Sequence, residues 1–125
     1  MGFGFEKLEV YKKAINFADK VYQITKNFPN NEIFGLTSQM RRAAVSVSCN
    51  IAEGSSRYHK KDFIQFLRVA RGSIYECVPL LEISLREDYV KKAISEELTK
   101  ECNELAKMIN GLISSLSSDS VNCNL

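Results

Sequence analysis

The sequence predicts an all-α fold, an antiparallel up-down-up-down four-helix bundle built as one domain over residues 1–125. Three observations carry this. Apolar residues recur at steps of three and four in four separate stretches, the spacing that places them on one face of a helix. Short turn-forming segments separate those stretches, so consecutive helices become neighbours of opposite direction. Six glycines and two prolines are too few for a β-rich or loop-rich chain. Residues 43–51 alternate locally as a strand would, but helical spacing flanks them on both sides.

The first helix is expected over about 5–27. Leu8, Tyr11, Ile15, Ala18, Tyr22 and Thr25 form one stripe; Val10, Ala14, Phe17, Val21, Ile24 and Phe28 form a second beside it. Two adjoining stripes make a face wide enough for a bundle interior plus contact with another subunit. Phe28-Pro29-Asn30-Asn31 then turns the chain, since proline stops the helix and asparagine tolerates turn geometry.

The second helix is expected over about 36–54, with Thr37 or Ser38 as its cap and Gly54 just beyond its end. It departs most from an ordinary helix. Leu36, Met40, Ala44, Val47 and Ile51 keep the period, yet small residues crowd residues 35–57, and Asn50 and Glu53 fall among apolar neighbours. Small residues let a second backbone come close.

The third helix is expected over about 60–87 on Phe63, Leu67, Ala70, Ile74, Cys77 and Leu81. Pro79 lies inside it and removes the donor owed to the Tyr75 carbonyl, so one kinked helix is expected. The fourth is expected over about 95–117, capped by Ser95, on the seam Leu98, Cys102, Leu105, Ile109, Leu112 and Leu116. The small polar tail, residues 118–125, is expected to be disordered.

Composition excludes several functions. A 45% hydrophobic, 26% charged chain is an ordinary soluble one, and a net charge of +2 makes no case by itself for nucleic acid. The distribution says more. Residues 1–62 hold ten Lys/Arg against six Asp/Glu, and residues 63–125 hold seven against nine. No signal peptide is evident, and no apolar run approaches the ~20 residues that span a bilayer. A cytoplasmic protein with no membrane association and reduced cysteines is expected. Cys49, Cys77, Cys102 and Cys123 include no C-x-x-C pair, so no zinc site is expected.

Catalysis has no positive support. A di-metal bundle site needs histidines projecting inward, and the single histidine, His59, lies in a connection. No phosphate-cradling glycine loop or dinucleotide fingerprint occurs. The expectation is a non-enzyme with no cofactor and no metal.

Charged and polar residues remain as site candidates. Asn50, Glu53 and Arg57 can share one helical face. The bland reading has Glu53 paired to an arginine and Asn50 capping a neighbouring backbone group, so that both fix how the second and third helices meet. Arg41 and Arg42 point about 100° apart. One can pair inward, with Glu53 of the same or another subunit or with Glu76 or Glu82, while the other faces solvent. Arg57, Lys60, Lys61, Arg68 and Arg71 can form a phosphate-contacting patch, with Tyr58 and His59 available to stack on a base. A solvated helix face is the competing reading.

Several motifs occur together: Leu8-Glu-Val-Tyr-Lys-Lys-Ala14, Glu32-x-Phe-Gly-Leu-Thr-Ser-Gln39, Arg41-Arg-Ala-Ala-Val-Ser46, Asn50-Ile-Ala-Glu-Gly54, and Phe66-Leu with Ala70-Arg-Gly-Ser73. In combination they resemble the four-helix-bundle proteins encoded in intervening sequences of bacterial large-subunit ribosomal RNA genes. They are also similar to the accessory variability proteins of diversity-generating retroelements. The resemblance implies a ring-like homopentamer without enzymatic activity. For the retroelement relatives it also implies a basic surface for nucleic acid and a reverse transcriptase partner. Arg41, Arg42, Asn50, Glu53, Gly54 and Arg57 match the motifs. Pro79 and His59 depart from the pattern, where a helix-compatible residue and a small capping residue are usual.

The leading expectation is therefore an oligomeric bundle that associates with structured rRNA or DNA through Arg/Lys side chains, among them Arg41, Arg42, Arg57, Lys60, Lys61, Arg68 and Arg71, or uses them between subunits. The alternative is a protein-interaction or scaffold module, partnering for example a reverse transcriptase.

Overall fold

The computed structural model describes residues 2–123, with Asp119 to Cys123 described by backbone alone. Among these residues the chain forms four α-helices and no strand: α1 Glu9–Thr25, α2 Leu36–Ser55, α3 Lys60–Arg86 and α4 Lys92–Cys123. Partner residues run in opposite order along neighbouring helices. Lys13 meets Glu104 while Lys20 meets Glu97 and Glu101, which sets α4 against the direction of α1. Ser46 meets Ser73 while Met40 meets Ser84, which does the same for α2 and α3.

One core fills the axis. Phe17 and Val21 of α1, Met40, Val47 and Ile51 of α2, Leu67, Ile74 and Leu81 of α3, and Leu98, Leu105 and Ile109 of α4 are almost wholly buried. Each such side chain contributes roughly 1.5–3 kcal/mol by leaving water. The second stripe of α1 (Val10, Ala14, Phe17, Val21) is this core face. The first stripe is only partly covered: Ile15 is 42% and Tyr22 39% exposed.

The helix ends differ from expectation for identifiable reasons. A 3₁₀ turn at Gly4–Lys7 precedes α1, and Leu8 is extended, so the α-helix starts later than Phe5. The Phe5 ring packs edge-on against Tyr11, 5.0 Å between centroids, and holds that turn to the helix. At the start of α2 neither Thr37 nor Ser38 is the cap. The Glu32 carboxylate reaches forward instead and accepts the Leu36 N–H at 3.3 Å. Ser95 does not cap α4 either, because that helix already begins at Lys92 and buries Ser95. At its other end α4 continues through Cys123, where a disordered tail was expected; Asn124 and Leu125 lie outside the described residues.

Gly54 is inside α2 rather than beyond it. A Cβ there would stand 2.7 Å from the Phe66 Cβ and 2.9 Å from the Phe63 ring. Its purpose is close approach of α3, not chain reversal. Left-handed geometry is supplied by Asp88, with φ 62°, at the end of α3. The Tyr89 N–H bonds the Ser84 carbonyl and the Asp88 N–H the Leu85 carbonyl, the paired bonds of a helix-ending Schellman turn. Pro79 does not break α3, which is one helix from Lys60 to Arg86. Pro79 and Tyr75 are both exposed, so water can take the acceptor that the missing N–H leaves.

No helix among the described residues is long and apolar enough to cross a membrane.

Candidate nucleic-acid interface

The seven basic candidates do not converge on one surface. Arg41 and Arg42 stand near the start of α2, beside the end of α1. Arg57, Lys60, Lys61, Arg68 and Arg71 stand at the opposite end of α2 and along the N-terminal half of α3.

Arg41 is turned inward, but to no acid. Its Nε donates to Thr25 Oγ1 at 2.8 Å, and its guanidinium lies over the Tyr22 ring, 4.6 Å from the centroid. Within the chain it does not pair with Glu53, Glu76 or Glu82, because this arginine ties α2 to α1. Arg42 is exposed, as the angle between adjacent helical positions requires, and makes only a long 3.5 Å contact with Ser38 Oγ.

Glu53 is exposed, not buried, and pairs with Arg57 one turn on. The Arg57 guanidinium also covers the Phe66 ring at 4.9 Å, so this residue is committed to the α2–α3 turn. Asn50 is half-buried, and its partner is in its own helix: Nδ2 donates to the Ser46 carbonyl at 2.8 Å and to Ser46 Oγ at 3.0 Å. Ser46 Oγ in turn lies 2.9 Å from Ser73 Oγ on α3. The link between the two helices is thus made by two serines that sequence reading passed over, with Asn50 orienting one of them. Their signal was available, since Ser46 sits inside the Arg-Arg-Ala-Ala-Val-Ser motif.

The remaining cations share one side. Lys61, Arg68 and Arg71 fall on the exposed arc of α3, and Arg71 Nη1 donates to Asn110 Oδ1 on α4 at 2.8 Å. Lys107, one turn from Asn110, adds a further cation that was not among the candidates. Lys61, Arg68, Arg71 and Lys107 make no ion pair among the described residues. Lys60 opens the same helix and is exposed. Tyr58, just before it, is 95% exposed and meets the His59 ring edge-on at 5.0 Å.

Three acids of α4 are engaged on its other side. Glu97, Glu101 and Glu104 face α1, where Lys20 contacts the first two at 3.2 and 2.9 Å and Lys13 the third at 2.8 Å. The bond to Glu101, then that to Glu97, raises the Lys20 pKa. The Lys13 bond lowers that of Glu104. The charge on α4 is therefore sorted by face. Three of its acids meet the lysines of α1, Glu96 pairs with Lys92 of its own helix, and Lys107 lies one turn from Asn110 on the side of α3.

No group of three His, Cys, Asp or Glu that could hold a metal occurs among the described residues. Cys77 and Cys102 are buried, and burial pushes both thiols up to about 12. They pack as apolar residues.

The model of the 23S rRNA-intervening sequence protein family matches residues 6–111. The chain belongs to that family. The match takes in α1 to α3 and α4 through Gly111, so it spans both the α1–α2 side and the cationic side of the chain. The fold is similar to a crystal structure from Bacteroides thetaiotaomicron, a protein of unknown function from the S23 ribosomal protein family. The TM-score is 0.77 at 26% identity, over 83% of this chain and 97% of that one. No curated protein matches.

Proposed function

We propose that this chain is a non-enzymatic, self-associating bundle that holds structured nucleic acid through the phosphates of its backbone. The observation that carries the reading is the arrangement of charge: Lys61, Arg68, Arg71 and Lys107 lie on the α3/α4 side and make no ion pair among the described residues, and the exposed Tyr58 ring stands just before α3. Such a surface reads phosphate spacing and groove shape, not base sequence. Ribosomal RNA is the first probe to use, because the family description names it. Binding of rRNA fragments is measured over a salt series. The expected outcome is affinity that falls steeply with salt; no binding at low ionic strength, or binding insensitive to salt, would remove the idea.

The self-associating part rests on the α1–α2 groove. Tyr11, Ile15, Tyr22, Val45 and Cys49 line an open apolar cleft of about 400 Å³. A ring of five copies is the proposed assembly, and sedimentation or light scattering decides it; a monomer at micromolar concentration would refute it.

The same groove favours a second reading, a module that binds another protein. Its discriminator is a pull-down from nuclease-treated lysate, where retention of one stoichiometric protein partner would favour it over nucleic-acid binding.

A further inference from the structure

A second cationic place lies away from the α3/α4 side, where the end of α1 meets the start of α2. Two adjoining clefts of about 390 and 260 Å³ meet there, sharing Ile33, Thr37 and Arg41. Arg41, Arg42 and Lys26 line them, and no carboxylate does. Glu32, the nearest acid in sequence, is turned to Leu36 and Tyr89 instead.

Arg41 is held in position at this place, yet donors are left over. Thr25 fixes Arg41 through Nε, and Tyr22 supports the flat of its guanidinium, so neither of its terminal nitrogens has a partner among the described residues. Thr37 is only 5% exposed, and its hydroxyl has no hydrogen-bond partner among the described residues, although it borders both clefts. That hydroxyl is not sealed in the core but opens to the clefts, where it is free to donate to a bound group. The positive end of the α2 backbone dipole points the same way.

We propose that this cleft is a phosphoryl-binding site. Arg41 and Arg42 supply charge, and Thr37 and Ser38 supply hydroxyl donors. The donor set selects phosphoryl over carboxylate. Two guanidiniums and two hydroxyls offer more donors than two coplanar oxygens accept, and a phosphate monoester near neutrality brings close to the two negative charges that balance the arginines. Tyr22, Ile33 and Val45 form apolar walls beside the arginines, which suits a phosphate attached to a sugar or base better than the bare ion.

The site is tested by titrating the full chain with inorganic phosphate, adenosine monophosphate and a short RNA, at constant ionic strength, by calorimetry and thermal shift. Phosphate binds saturably, and adenosine monophosphate binds more tightly. Arg42→Gln and Thr37→Val each weaken phosphate by about tenfold or more, Thr37→Ser restores binding, and Lys100→Gln, an exposed cation of α4 outside both clefts, leaves it unchanged. Arg42 is exposed and Thr37→Val keeps side-chain shape, so both variants fold even where loss of the Arg41 clamp would not permit it. RNA that displaces phosphate identifies a nucleic-acid strand as the source; RNA that does not identifies a free nucleotide. Absence of saturable phosphate binding, or equal binding by Thr37→Val and Arg42→Gln, overturns the proposal. Neither result depends on whether the α3/α4 side binds RNA.

Discussion

The Tyr89 hydroxyl donates to Glu32 Oε2 at 3.0 Å, across 57 positions of sequence. The other oxygen of that carboxylate accepts the Leu36 N–H, so one side chain joins the start of α2 to the turn between α3 and α4. The Tyr89 ring rests on Phe28, 5.3 Å between centroids, and completes the contact from the end of α1.

This predicts a hierarchy. Tyr89→Phe keeps the ring contact and loses one hydrogen bond, while Glu32→Ala loses two, so urea midpoints fall in the order wild type, Tyr89→Phe, Glu32→Ala. The bond to Glu32 raises the Tyr89 pKa above the usual tyrosine value. Its stabilisation is fully present below the unfolded phenol pKa and is lost as pH rises through the folded one. The alkaline loss of stability is therefore smaller in Tyr89→Phe, and equal alkaline profiles would contradict the assignment.

The glycines of α2 and α3 should respond in opposite directions. Gly54→Ala forces a methyl against Phe63 and Phe66 and costs about 1–3 kcal/mol. A Cβ at Gly72 meets nothing within 4 Å, and Gly72→Ala stabilises the exposed helix by roughly 0.5–1 kcal/mol. Paired urea titrations separate the two, and a stabilising Gly54→Ala would show that α3 can move away freely.

Asp88 holds a left-handed conformation at φ 62° and places a negative charge at the negative end of α3. Asp88→Gly removes both penalties and raises stability by about 1 kcal/mol. A neutral or destabilising result in thermal unfolding would mean that the aspartate has a role the turn geometry does not contain.

Thiol labelling should divide the cysteines by site. Cys49 is exposed, while burial pushes Cys77 and Cys102 up to about 12. Alkylation at pH 8 followed by peptide mapping should spare the two core thiols and mark Cys49, at high dilution where the proposed assembly dissociates and its groove is uncovered. Labelling of Cys77 at a comparable rate would mean that α3 and α4 part readily.

On the α3/α4 side, Arg68→Gln with Lys107→Gln should weaken RNA and flatten the logarithmic salt dependence by roughly 0.7–0.9 for each phosphate that is no longer neutralised. Weaker affinity at unchanged slope would place the RNA elsewhere.

The helical architecture was legible because burial along each helix follows the spacing of its apolar residues. The wheel placed Phe17, Ile51, Leu67 and Leu105 inward without knowledge of any partner. The ends were harder to read, since capping groups come from outside the helix they serve. Glu32 lies four residues before Leu36, where a Thr or Ser nearer the start looked better qualified. Gly54 showed the right residue for the wrong reason, because close approach and chain reversal both select glycine. The candidate site was partly visible. Arg68 and Arg71 were identified from their spacing, but Lys107 needed the pairing of α3 with α4. The engagement of Glu97, Glu101 and Glu104 on the far side of α4 depends on Lys13 and Lys20, far away in sequence. Asn50 and Glu53 looked buried because their neighbours are apolar, yet a helix presents a different side every residue.

Those two lysines carry a further consequence. The α1–α4 interface is the thinnest of those between the helices, and lysine–glutamate contacts supply part of it. Each of the other interfaces joins helices consecutive in the chain, so this one alone closes the bundle between its first and last members. It is the seam of the barrel. Amide exchange near Lys20 and Glu101 should accelerate in concentrated salt before exchange at Ile51 or Leu67 does, because screened charges let the outer helices part while the apolar staves stay together.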